Sequence, residues 1–153
     1  MKRLGTVIVL SMVVALVACG GVSNNETIKG NWAAALYNPD GTTALIVTAT
    51  LTQSGTTVNV AKFSFTTPSS CFASGTTASG VFTPTGTTHG VTSGTLQMAF
   101  QSGPSNPNGM NLLGLQGTFV RNVISGTWNL TGTGLGCAGP ENLTSGNFTM
   151  SQR

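Results

Sequence analysis

Charge is what this sequence has least of. Six Lys or Arg and three Asp or Glu are spread over 153 residues, with a single His and three Cys. Three carboxylates and one imidazole leave almost no material for acid–base or metal chemistry. Gly and Pro contribute 21 and 6 residues, below the roughly 25–30% expected of a low-complexity disordered chain. Disorder also calls for high net charge and few β-branched residues, and this chain shows the reverse. Long amphipathic periodicity is missing too. No stretch keeps apolar residues at i, i+3, i+4 and i+7, which excludes helices longer than a turn or two.

The only long apolar run is at the start. Met1-Lys2-Arg3 is followed by fifteen uncharged residues, Leu4 to Ala18. A membrane span needs about 20 residues. A basic start, a short apolar centre and a small residue before the cut form a secretory signal peptide. The run ends Leu16-Val17-Ala18-Cys19-Gly20, which resembles the lipobox of bacterial lipoproteins. The resemblance implies that residues 1–18 are removed and that Cys19 becomes the first residue, joined through sulfur to a diacylglyceryl group. An ordinary secretory signal with a chance cysteine is the rival reading. Two or three acyl chains on one Cys hold a protein on a bilayer, whereas one chain binds only marginally. Gly20 in place of Asp after the lipobox implies an address in the outer membrane, facing the periplasm or the surface.

Loss of residues 1–18 removes Lys2 and Arg3. The remainder holds Lys29, Lys62, Arg121 and Arg153 against Glu26, Asp40 and Glu141, and four minus three is +1. No basic patch for nucleic acid and no polybasic segment for anionic lipid exists in the sequence. Residues 19–29 read as the lipidated Cys and a flexible tether, and residues 30–153 as a single domain.

That domain is dominated by period-two alternation. Trp32, Ala34 and Leu36 share a face, as do Leu45, Val47, Ala49 and Leu51. Leu96, Met98 and Phe100 form another set, and Leu113, Leu115 and Phe119 a fourth with Gly117 between them. Ile124, Trp128 and Leu130 follow with Gly126 between them, then Phe148 and Met150. Thr fills the opposite faces, where its branched Cβ suits the pleat and its hydroxyl suits water. One segment changes phase: Val58 and Val60 share a parity, and Ala61, Phe63 and Phe65 take the other. A one-residue slip turns a strand over, so a β-bulge near Val60–Lys62 is expected.

Turns are expected at Asn38-Pro39-Asp40-Gly41, at Ser54-Gly55 and at Arg121-Asn122, with a longer loop from Gly103 to Gly109. Strands are predicted over 31–37, 43–53, 56–66, 76–83, 87–91 (weak), 94–101, 110–120, 123–131 and 143–150, some of them merging. Short connections between successive strands make an antiparallel meander. So neutral a sheet has few charged gatekeepers for free edges, and closure removes the edges. The expected fold is all-β, a small antiparallel meander barrel of about eight strands. A two-sheet sandwich is the alternative.

Gly30-Asn31-Trp32 opens the first strand, and Gly126-Thr127-Trp128 repeats the triplet. The pattern resembles the Gly-x-Trp that starts the first strand of lipocalins and avidins, the calycin-type barrels. The resemblance implies a Trp packed across the closed end of a barrel. Lipocalins usually pack an Arg from a late strand on that Trp. The nearest Arg here, Arg121, reads as a turn residue.

Cys71 and Cys137 are an even pair in an exported setting, so a disulfide between them is the default. It would close a loop of about 67 residues and contribute roughly 4 kcal/mol. Two free thiols are the alternative. A zinc site is poorly served without clustered His or carboxylates.

The remaining chemical groups have plain explanations. Glu26 is in the tether, and Asp40 and Glu141 read as turn residues. His89 stands among small polar residues, and no Gly-x-Ser-x-Gly elbow, Walker loop or dinucleotide fingerprint is present. No enzyme, cofactor or metal is expected. Two functions remain. One is an interaction or structural lipoprotein with a packed interior and a protein partner. The other is a carrier holding a small apolar ligand in the barrel, its lining drawn from Trp32, Leu36, Met98, Phe100, Leu115 and Trp128. Large inward side chains favour the first. Inward Ala34, Ala49, Gly117 and Gly126 favour the second by leaving space.

Overall fold

Eight strands close on themselves in chain order, each antiparallel to the next. A computed structural model of the chain describes residues 28–66, 72, 75–88, 91–104, 109–132 and 144–153. The strands are β1 (Gly30–Tyr37), β2 (Thr43–Ser54), β3 (Thr57–Thr66), β4 (Thr77–Thr88), β5 (Val91–Gln101), β6 (Asn111–Val120), β7 (Val123–Gly132) and β8 (Ser145–Gln152). The expected meander barrel therefore forms, and the sandwich does not. Closure is made by β1 on β8, in register from Trp32 opposite Gln152 to Tyr37 opposite Asn147.

Alternation turns one residue in two inward on every strand, and the apolar sets read from the sequence meet in one core. The phase change in β3 is a bulge. Thr48 pairs with Ser64 and Thr50 with Ala61, so two residues of β3 face one of β2. Lys62 takes the extra position at φ 47°. The slip keeps Val58 and Val60 below it, and Phe63 and Phe65 above it, on the inner side. Ala61, expected to share a face with Phe63 and Phe65, is exposed. The cause is that the bulge falls after it, at Lys62.

Two boundaries differ from the sequence reading. The weak strand over 87–91 does not exist separately: 87–88 finish β4 and Val91 starts β5. The strand expected over 76–83 runs on past Pro84, which cannot donate to a ladder. A register shift between Pro84 and Gly86 absorbs the missing donor and lets the strand continue. The last strand begins at Ser145 and runs to Gln152.

The turns follow their residues. Asn38 N–H donates to the Thr42 carbonyl at 2.8 Å, and Gly41, at φ 85°, donates to the Asn38 carbonyl at 2.9 Å. Arg121 and Asn122 have φ 51° and 64°, the double positive φ of a two-residue I′ hairpin.

The meander gives the barrel two unlike ends. One carries the two-residue and similarly short hairpins joining β2 to β3, β4 to β5 and β6 to β7, and the entry to β1. The other carries the β1–β2 turn and the longer connections β3–β4, β5–β6 and β7–β8. Cys19 lies outside the described residues, as do Cys71 in the β3–β4 connection and Cys137 in the β7–β8 connection.

Candidate functional site

The candidate site is the barrel interior, since the strands bring all six sequence-predicted lining residues there. Trp32, Leu36, Met98, Phe100, Leu115 and Trp128 are all buried. They do not stand around an empty middle. Each is covered by neighbours from other strands, and the two tryptophans serve opposite ends.

Trp32 follows the first turn of chain into β1. Its Nε1–H donates to the Ile28 carbonyl at 2.9 Å, and its ring meets Phe119 edge-on with centroids 6.2 Å apart. Phe119 in turn meets Phe82 at 5.7 Å and 87°. The partner of Trp32 is thus a Phe, and Arg121 stays exposed in its turn, where the sequence placed it. Trp128 works at the other end. Its Nε1–H donates to the Tyr37 carbonyl at 2.9 Å, passing over Gly146, where an added Cβ would lie 2.8 Å from that nitrogen. Both indole donors are satisfied, as buried Trp requires.

The inward glycines leave no room for a side chain. A Cβ on Gly117 would meet Phe148 Cζ and the Ser125 carbonyl at 2.8 Å each, and Ile124 Cγ2 at 2.9 Å. A Cβ on Gly126 would run into the Gln116 carbonyl and the Gly117 Cα of the neighbouring strand. Gly94, which the sequence reading passed over, is covered by the Phe82 ring. The expectation that Gly117 and Gly126 leave room is therefore corrected. At Gly117 a neighbouring ring occupies the space of the missing side chain, and at Gly126 the backbone of β6 does.

The wall is weakest between β3 and β4. Among the described residues only Thr57 with Val81 and Val58 with Gly80 are paired there. Beside this seam Phe63, Phe65, Phe72 and Ala78 are partly buried against the core. Phe65 stacks on Phe72 at 4.5 Å and 17°, and Phe63 and Phe65 each meet Phe100 edge-on at 5.4 Å. Phe100 was foreseen as lining. Phe63 and Phe65 were read only as strand residues, and Phe72 was missed because it stands alone in a polar stretch.

Polar chemistry is scarce inside. Ser102 and Asn111 are buried at the long-loop end and tie β5 to β6: Asn111 N–H donates to Ser102 Oγ at 2.7 Å, and Ser102 Oγ donates to the Gly109 carbonyl at 3.1 Å. Asp40 is fully exposed in the β1–β2 turn. Thr42 Oγ1 and the Thr42 N–H donate to Asp40 Oδ1 at 2.6 and 2.9 Å, and these two hydrogen bonds hold its carboxyl below the ordinary value. Among the described residues no three His, Cys, Asp or Glu side chains gather to hold a metal ion, and no helix is long and apolar enough to cross a membrane. Comparison with family models, with curated proteins and with solved structures finds no match.

Proposed function

We propose that the chain is a lipid-anchored lipoprotein of the bacterial cell envelope whose β-barrel is a non-catalytic structural or interaction module. The observation that carries this reading is the occupation of the interior by its own side chains, down to the aromatic rings lying over Gly94 and Gly117. The lipobox at Leu16–Cys19 supports the anchor and the outer-membrane address, and Cys71 with Cys137 supplies the disulfide. A barrel so filled presents its outside. Lys62 is the only charged residue in the eight described strands, so the wall offers Thr, Ser, Asn and Gln to a protein partner.

A second reading is favoured by the seam. A small apolar ligand entering beside Phe63, Phe65 and Phe72 would make the barrel a lipocalin-like carrier. Native mass spectrometry of the delipidated protein purified from its own host separates the two. The interaction module gives the bare polypeptide mass. A reproducible additional small-molecule mass selects the carrier and overturns the first reading.

A further inference from the structure

Single charges that are far apart in the sequence meet at one end of the barrel. Lys29 immediately precedes β1, Arg121 sits in the β6–β7 turn, and Arg153 follows β8. Arg153 N–H donates to the Asn31 carbonyl at 2.8 Å, and Gln152 Nε2 donates to the Lys29 carbonyl at 3.0 Å. Val123, two residues beyond Arg121, pairs with Ser151, two residues before Arg153. The three cations thus stand on adjoining strand ends, and all three are exposed. No acidic side chain joins them among the described residues. Glu26 of the tether and a terminal carboxylate at Arg153 would offset two, and three minus two leaves +1. The only described acid, Asp40, is at the opposite end.

The same rim is apolar at its tip. Val120 and Val123, which flank the Arg121-Asn122 turn, are 45% and 38% exposed. Arg121 holds φ 51°, a conformation in which Asn or Gly is the ordinary choice.

We propose that this rim rests on the anionic surface of the bilayer, with Val120 and Val123 at the interface and Lys29, Arg121 and Arg153 on lipid headgroups. The proposal rests on the lipid anchor at Cys19. Eight residues lie between Cys19 and Ile28, and the span reaches at most about 30 Å when fully extended. They enter the barrel at Ile28, on this rim. The tether therefore delivers the cationic end to the membrane and leaves the end that carries Asp40 facing away. Basic residues near an anionic leaflet each raise its occupancy about fivefold.

The test uses the full lipidated chain on nanodiscs carrying a gadolinium-chelating lipid, made with zwitterionic lipid alone or with anionic lipid added. Amide signals report proximity to the surface. Broadening concentrated at Lys29, Val120 to Val123 and Arg153, stronger with anionic lipid and weaker with salt, is the expected result. The variant Lys29→Gln, Arg121→Asn, Arg153→Gln keeps the turn, since Asn suits its geometry, and should lose about fivefold in surface occupancy per cation. Equal broadening at Asp40 to Thr42, or broadening confined to that end, overturns the proposal while leaving the anchor intact. Intact mass decides the anchor separately. If Cys19 carries no acyl chains, the anchor reading fails, and the same chain added free to anionic nanodiscs must still broaden at the rim or the rim proposal fails with it.

Discussion

Asp40 shows how little of the scarce charge is free for chemistry. Its carboxylate closes a turn, accepting from the hydroxyl and the N–H of Thr42, and those hydrogen bonds lower its titration. The folded chain therefore releases this proton more readily than the unfolded one. The resulting stability is complete above the ordinary carboxylate range and disappears as pH falls through the lowered folded value. Asp40→Ala should lower the melting temperature slightly at neutral pH, and the gap from wild type should close in acid. Thermal scans across that range check it, and a gap that persists at low pH would mean the carboxylate is not the group responsible. Proline and glycine at positions 39 and 41 made this turn legible in advance. The rarer choice of Arg121 and Asn122 for an I′ hairpin was legible because a two-residue gap between alternating runs leaves few other geometries.

At the scale of the strands, packing is set by pairs of glycine and ring. Gly117 faces Phe148, and Gly94 lies under Phe82. A methyl on Gly117 has backbone carbonyl on one side and side chains on the other, so Gly117→Ala should destabilise the fold by about 1–3 kcal/mol, as overpacked cores do. Denaturant melts test this, and an unchanged or raised midpoint would show that the interior has slack there. The inward positions were read correctly from period two, because parity alone fixes the face. Even the bulge in β3 betrayed itself by a parity change, one residue early. What parity cannot show is which ring from a neighbouring strand fills a glycine's place. That depends on the lateral register, which is set by closure, and so Gly117 and Gly126 were taken for gaps and Gly94 was passed over. The strand expected over 76–83 fell short in a similar way, since a register shift between Pro84 and Gly86 carries it on to Thr88.

For the whole molecule, closure does two things. It pairs β1 with β8 and so removes the free edges at the two chain-terminal strands of a nearly uncharged sheet, edges that would invite association. It also sorts by end what the sequence scatters: Lys29, Arg121 and Arg153 on one rim, Asp40 on the other. No polybasic segment exists to be read, since the cluster is made by the meander and not by neighbours in the chain. The function proposed depends on the middle being occupied by the protein itself. Dry cavities lined by apolar side chains take up xenon, so xenon titration followed on the methyl signals of Leu36, Met98 and Leu115 probes that middle directly. We expect small shifts that rise linearly with pressure and never saturate. Saturable shifts at these methyls would reveal a ligand-sized space behind the seam and contradict the filled barrel.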